Sequence, residues 1–191
     1  MKEEALLDLF RAMEGILGPN YECRYYPCHF SGQDCSFCFC PFYPCFLYRL
    51  GGEIIVSSKG NYVWSCKNCW WIHEKQNVEA VVNYFSGYSR QILIEEDWYF
   101  FNRSLQNILF GEELGLIVNG SYDLMPPNFY ELEYLEVDKT EFLAVKLDDF
   151  EIKSVRKIKD IEEAENEILI PEKEGRIIRG KYKGLFVECR I

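Results

Sequence analysis

Eight of the nine cysteines in this 191-residue chain lie between Cys23 and Cys69. Their spacing is Cys23-x4-Cys28-x6-Cys35-x2-Cys38-x-Cys40-x4-Cys45, then twenty residues, then Cys66-x2-Cys69-x3-His73, with His29 directly after Cys28. A hydrophobic core has no need of thiols at such intervals, whereas thiolates converging on a soft ion do. In a C-x2-C pair the turn aims both sulfurs at one point and lets backbone N–H groups donate to them. Two such pairs complete a tetrahedral four-sulfur site, which suits zinc. The spacing therefore pairs Cys35 and Cys38 with Cys66 and Cys69, leaving Cys23, Cys28, Cys40 and Cys45 for a second centre. Cys38 and Cys40 would share one face of an extended strand, so dividing them between centres requires a kink, which Pro41 helps to supply. Two zinc ions are the expected content, with an iron–sulfur cluster as the alternative that four thiolates also hold. His29 and His73 are the only histidines. Each either replaces a sulfur at a centre or hydrogen-bonds to a ligand.

Composition narrows the class. The 31 aromatic residues exclude a disordered acidic tail. No apolar run approaches the roughly 18 residues that span a bilayer. The start, MKEEALLDLF, lacks a basic region followed by a long apolar one, so no signal peptide is expected. A cytoplasmic location follows, with cysteines available to metal rather than to disulfides. The net charge is −10. Residues 1–90 carry 8 basic and 9 acidic side chains, and residues 91–191 carry 13 and 22. Duplex nucleic acid is a poor match for that balance, because phosphate neutralisation needs a basic face.

Hydrophobic periodicity predicts a helix over 3–17, with Leu6, Phe10, Met13 and Leu17 on one face, ended by Gly18-Pro19. EIIVSS and NYVWS read as a hairpin, with Gly51-Gly52 and Lys59-Gly60-Asn61 as turns. NVEAVVNYF reads as a helix over 77–85 capped by Asn77. QILIEEDWYFF reads as strand or buried extended chain, and NRSLQNILFGEELGLIV as a helix broken at Gly111 or Gly115. Beyond the Pro126-Pro127 loop, YLEV, FLAVKL, DFEIKSVRKI, EILIPE, RIIRGKY and GLFVECRI alternate as strands do. IKDIEEAENEI fits a helix equally well. The expected fold class is α+β. An N-terminal helix (1–19) leads into a small irregular metal module (20–88), and an acidic, mostly β domain (89–191) follows. The rings interleaved among the ligands, from Tyr25 to Trp71, read chiefly as the core of that module rather than as a stacking platform for bases. Glu95-Glu96-Asp97 and Asp148-Asp149 read as solvated turns, and Cys189 as a small buried hydrophobe in the last strand.

The strings CRYYPCHFSGQDCSFCFCPFYPCF, VWSCKNCWWIH and NVEAVVNYF, with Gly51-Gly52 between the first two, closely resemble the cysteine-rich small domain family over about residues 20–85. That family is described as metal-binding and zinc-finger-like. It occurs chiefly in archaea and some bacteria, including in multidomain proteins linked to cobalamin synthesis and salvage. The resemblance implies metal binding at Cys23, Cys28, Cys35, Cys38, Cys40, Cys45, Cys66 and Cys69, with His29 and His73 in the same motif. It implies no reaction, and residues 90–191 carry no resemblance.

The expected function is a zinc-stabilised binding or accessory module whose acidic half meets a protein partner, with no membrane association. The alternative is an iron–sulfur redox or sulfur-handling protein using a reactive Cys38-Phe39-Cys40 pair and linked to cobalamin-type cofactor metabolism. A further alternative is an RNA-binding accessory protein reading single strands by stacking. A hydrolase triad is not expected, since no histidine stands clear of the metal block.

Overall fold

The computed structural model describes residues 2–110, 132–137, 142–148, 150–159, 163–164, 166–171, 177–182 and 185–190. The fold is α+β. Helix α1 (Lys2–Glu14) has Glu3 and Glu4 at its positive end and Arg11 in its last turn, a distribution that suits the helix dipole. Its buried face is Ala5, Leu6, Leu9 and Ala12. The predicted helix runs three residues too far. The amide of Leu17 donates to Ser36 Oγ at 3.0 Å and that of Gly18 to Asp34 Oδ2 at 3.0 Å, so the cysteine loop captures groups that a longer helix would have used. Leu17, expected on the packing face, is 63% exposed.

Strands β1 (Glu53–Val56) and β2 (Tyr62–Ser65) form the predicted hairpin, with Glu53 opposite Ser65 and Val56 opposite Tyr62. Helix α2 (Lys75–Phe85) starts two residues before its predicted beginning and buries Val78, Val81 and Phe85. Asn77 does not cap it: its side-chain amide reaches back to the Trp71 carbonyl at 2.8 Å and to Glu74 Oε2 at 2.9 Å.

The segment expected as extended chain is helical. Helix α3 (Arg90–Glu95) is capped by Ser89, whose hydroxyl accepts the Ile92 amide. Helix α4 (Trp98–Phe110) begins where Asp97 Oδ1 accepts the Phe100 amide at 3.1 Å. These two caps outweigh the apolar alternation of Ile92 and Ile94, because an oxygen side chain before the first turn satisfies amides that would otherwise be unpaired. Trp98, Phe101 and Leu105 then fall on one buried face. Helix α4 ends at Phe110, and the expected breaks at Gly111 and Gly115, like the Pro126-Pro127 loop, lie outside the described residues.

The C-terminal strands are found where alternation placed them. They are β3 (Leu132–Val137), β4 (Phe142–Asp148), β5 (Glu151–Ile158), β6 (Ile168–Pro171), β7 (Ile177–Tyr182) and β8 (Leu185–Arg190). They make two antiparallel three-stranded sheets, β3-β7-β8 and β5-β4-β6. The described residues 163, 164, 166 and 167, between β5 and β6, form no α-helix. In the second sheet β4 is central and buries four residues in a row, Phe142 to Val145. One face, with Leu143 and Val145, joins Leu9, Phe42, Phe85, Phe101 and Leu105 in a single core, while Phe142 and Ala144 pack with Ile158 on the other. Tyr88, at the expected domain boundary, packs against that core, in which Phe85 packs on Phe101 at 5.6 Å and Phe101 on Phe150 at 6.0 Å. No helix among the described residues is long and apolar enough to cross a membrane.

Candidate metal centre

The cysteine loop is irregular, so side chains must satisfy its backbone. Asp34 does most of this and is 3% exposed. Its carboxylate accepts the amides of Gly18 and Ser36 at 3.0 and 2.7 Å. Its own amide donates to the His73 carbonyl at 2.9 Å. Gln33, equally buried, accepts the His29 and Phe30 amides through Oε1 and donates from Nε2 to Cys28 Sγ at 2.9 Å. Asp8 on α1 accepts the amides of Cys38 and Phe39, both at 2.9 Å. From the other side, Trp98 Nε1 donates to the Pro44 carbonyl at 2.9 Å and Asn102 Nδ2 to that of Phe42 at 3.4 Å. Two helices thus pin the loop at Cys38-Phe39 and at Phe42–Pro44. The Tyr26-Pro27 and Tyr43-Pro44 peptide bonds are cis.

The thiols fall into two neighbourhoods. The Cys38 thiol is pushed up by burial, by Asp8, and by Cys35, Cys23 and Cys28. Cys40 is pushed well above the ordinary thiol range by burial and then by Cys45, with Cys66 and Cys69 adding to it. Burial likewise raises Cys45 and Cys66 to about 12, with Cys66 and Cys69 contributing to the first and Cys69 to the second. Cys23, Cys28 and Cys35 thus act on Cys38, and Cys45, Cys66 and Cys69 on Cys40. The grouping read from spacing put the Cys66/Cys69 pair with Cys35 and Cys38, whereas that pair acts on the buried Cys40 thiol. The separation of Cys38 from Cys40 agrees with that reading, and bends at residues 38 and 39 provide it.

Backbone donors face these sulfurs. The amides of Phe42, Leu47 and Trp71 act on Cys40, Cys45 and Cys69, in each case from two residues further on, and each favours the thiolate. The Asn20 amide donates to Cys35 Sγ at 3.4 Å. Trp64 Nε1 is buried without a partner at ordinary hydrogen-bond geometry and lies close enough to Cys45 to favour its ionised form. An N–H donor stranded beside a thiol suits a thiolate better than an S–H, and a bound cation supplies that thiolate. The donor set thus fits a thiophilic metal. Among the described residues, however, no three His, Cys, Asp or Glu side chains are already gathered at ion-binding distance.

The two histidine rings lie 4.6 Å apart between centroids with their planes tilted by 32°. Burial lowers both pKa values, and the charge of His73 lowers that of His29 further, so both rings are neutral near pH 7. His73 Nδ1 is 3.0 Å from the Asp34 carbonyl; a carbonyl only accepts, so Nδ1 carries the hydrogen and Nε2 the lone pair. His29 Nδ1 is buried without a partner. Both rings line a cavity of about 180 Å3 together with Cys38, Cys40, Cys45, Cys66 and Cys69.

Of the rings interleaved with the ligands, Phe37, Phe42, Phe46 and Trp64 are core, while Tyr25, Phe39 and Trp70 are exposed. Asp97 caps α4, and Asp148 pairs with Lys153 at 3.4 Å. Asp149 and the side chain of Cys189 lie outside the described residues. Sequence reasoning missed Asp8, Gln33, Asp34, Trp98 and Asn102, and read Trp64 only as a core ring. Only the polar Gln33-Asp34 pair beside Cys35, inside an otherwise apolar and cysteine-rich run, was a visible signal.

These features define a cysteine-rich module of metal-binding type, built on turns and held between helices. Residues 15–93 match the zinc-finger-like family model described as the cysteine-rich small domain. The chain is 52% identical over 64 residues to a probable cobalt-factor III C(17)-methyltransferase of Methanothermobacter thermautotrophicus, a match that covers 34% of this chain and 17% of that protein. It is 48% identical over 60 residues to an uncharacterized protein of Methanocaldococcus jannaschii, covering 31% of this chain and 50% of that one. The chain thus spans half or less of the length of these curated relatives. No solved structure matches it.

Proposed function

We propose that residues 20–88 are a binding module folded around two four-thiolate metal centres, one at Cys23, Cys28, Cys35 and Cys38 and one at Cys40, Cys45, Cys66 and Cys69. The reading is carried by the N–H donors aimed at sulfur, Gln33 Nε2 on Cys28 and the Asn20 amide on Cys35, and the division into two sets follows which thiols act on Cys38 and which on Cys40. Zinc is the ion that such closed sulfur sets take, and a full set of ligands leaves no open position for substrate. Asp34 holds His73 beside the second set, where it orients the site rather than ligating. The module's exposed rings, Tyr25, Phe39 and Trp70, supply apolar contact for a protein partner. Similar blocks make up 17% of one relative and 50% of another, which supports an accessory segment attached to different chains. The first of those relatives makes corrinoid methylation the first process in which to seek the partner.

The test is metal content of the full chain with a paired substitution. Cys35→Ser with Cys66→Ser should abolish binding at both centres, because those residues lie in different groups. Retention of one metal per chain by this double variant would restore the grouping read from spacing, and absence of metal from the unsubstituted chain would end the proposal.

A further inference from the structure

Gln33 closes the turn that carries Cys28. Its backbone amide donates to the Phe30 carbonyl at 3.3 Å, and the next residue back, Gly32, donates its amide to the Tyr26 hydroxyl at 2.6 Å. The Gln33 side chain folds back into this turn and is 1% exposed. Its Oε1 accepts the amides of His29 and Phe30 at 2.8 and 3.2 Å. Those two contacts fix which way the carboxamide lies, because the reverse orientation would set its NH2 group against two N–H donors. Nε2 is thereby aimed at Cys28 Sγ, 2.9 Å away. A carboxamide nitrogen only donates, so the sulfur accepts, and a thiolate accepts more strongly than a thiol.

Cys28 itself is exposed. Water would solvate an exposed thiolate in many directions, whereas a buried donor of fixed direction favours one. Partners behind a metal ligand commonly orient it in this way, and losing one lowers metal affinity by about 10–100-fold. Resting on the reading of Cys28 as a zinc ligand, we infer that Gln33 is a positioning residue of that centre. Its carboxamide, aimed by two backbone amides, holds the Cys28 sulfur in the thiolate form that the ion requires. Gln33→Glu isolates this role. The substitution keeps an acceptor for the His29 and Phe30 amides and sets a second oxygen, in place of the donor, against the sulfur. That oxygen repels the thiolate.

The experiment uses the zinc-loaded full chain and two readouts. Chelator competition gives the apparent zinc affinity. Alkylation by iodoacetamide, followed by peptide mass spectrometry, gives the reactivity of each cysteine. Gln33→Glu should lower the affinity for one zinc by about 10–100-fold and speed the alkylation of Cys28 selectively. A variant that binds zinc like the unsubstituted chain, with Cys28 alkylation unchanged, overturns the inference and leaves the two-centre reading standing. So does a loss of affinity without a selective change at Cys28, since Gln33 then acts only through the fold of the turn. Should Gln33→Glu fail to fold, the unsubstituted chain decides. Loaded with NMR-active cadmium, it should show a coupling between the metal and a Gln33 side-chain amide proton, carried through the hydrogen bond to Cys28. A Gln33 amide without that coupling overturns the inference. A chain that takes no zinc ends both the inference and the two-centre reading.

Discussion

Asp34 joins three segments at once: the end of α1, the Cys35–Cys38 loop and the turn that carries His73. Asp34→Ala would leave the Gly18 and Ser36 amides unpaired, and each such group costs about 1–3 kcal/mol when buried. Denaturant unfolding of the metal-loaded protein should show a loss of about 2–4 kcal/mol, within the range for a broken buried network. A loss below about 1 kcal/mol would remove the residue from this role. At the thiols the sign of the pH dependence follows from burial. Cys45 and Cys66 are raised to about 12, so without metal they are protonated throughout the neutral range, and a cation must displace those protons to bind. Apparent metal affinity should therefore fall as pH falls, by about tenfold per pH unit for each proton displaced. Competition with a chelator at two pH values checks this, and an affinity independent of pH would show that the thiols are not the ligands.

At the scale of elements, the turn of Gly51 and Gly52 positions the second C-x2-C pair. Gly51 has a φ of 91°, and a Cβ there would lie 2.2 Å from the Asn68 carbonyl oxygen, inside the Cys66–Cys69 turn. A Cβ on Gly52 would lie 2.2 Å from the Trp64 ring, which is 2% exposed and has nowhere to retreat. Gly52→Ala should cost about 1–3 kcal/mol or more and reduce metal retention at the second group while sparing the first. Thermal unfolding and metal analysis read the two effects separately. The glycine pair was visible as a turn signal in the sequence. Its tight fit against a tryptophan and a cysteine turn was not, because contact between β2, the Cys66–Cys69 turn and the chain before β1 arises only when the hairpin closes. The same holds for α3 and α4. Ile92, Ile94 and the aromatic run after them alternate like a strand, yet Ser89 and Asp97 cap helices that aim Trp98 and Asn102 at the loop.

At the scale of the whole molecule, the cysteine module and the segment after it share a core. The family match ends at residue 93, but Trp98, Phe101 and Leu105 on α4 and Phe150 after β4 are buried in that core beside Phe42, Phe46 and Phe85. Residues 1–93 alone, loaded with metal, should unfold at a lower temperature than the full chain and bind a hydrophobic dye, since those rings lose their cover. Equal unfolding temperatures would make residue 93 a true structural boundary. Chelation should also unfold residues 20–88 first, because structural metal supplies on the order of 10 kcal/mol to chains of this kind. Circular dichroism during chelator titration follows it. The sequence by itself determined the α+β class, the metal-binding type of the cysteine block, the hairpin and the C-terminal strands. Each of these rests on local chemistry: ligand spacing, turn residues and period-two alternation. Only the tertiary structure decided what holds the loop and where the core ends. Those depend on contacts between residues far apart in the chain, as between Asp8 and Cys38, Asp34 and His73, or Trp98 and Pro44. Spacing along the chain sets how closely two cysteines can approach. The packing of α1 and α4 against the loop sets which of them do.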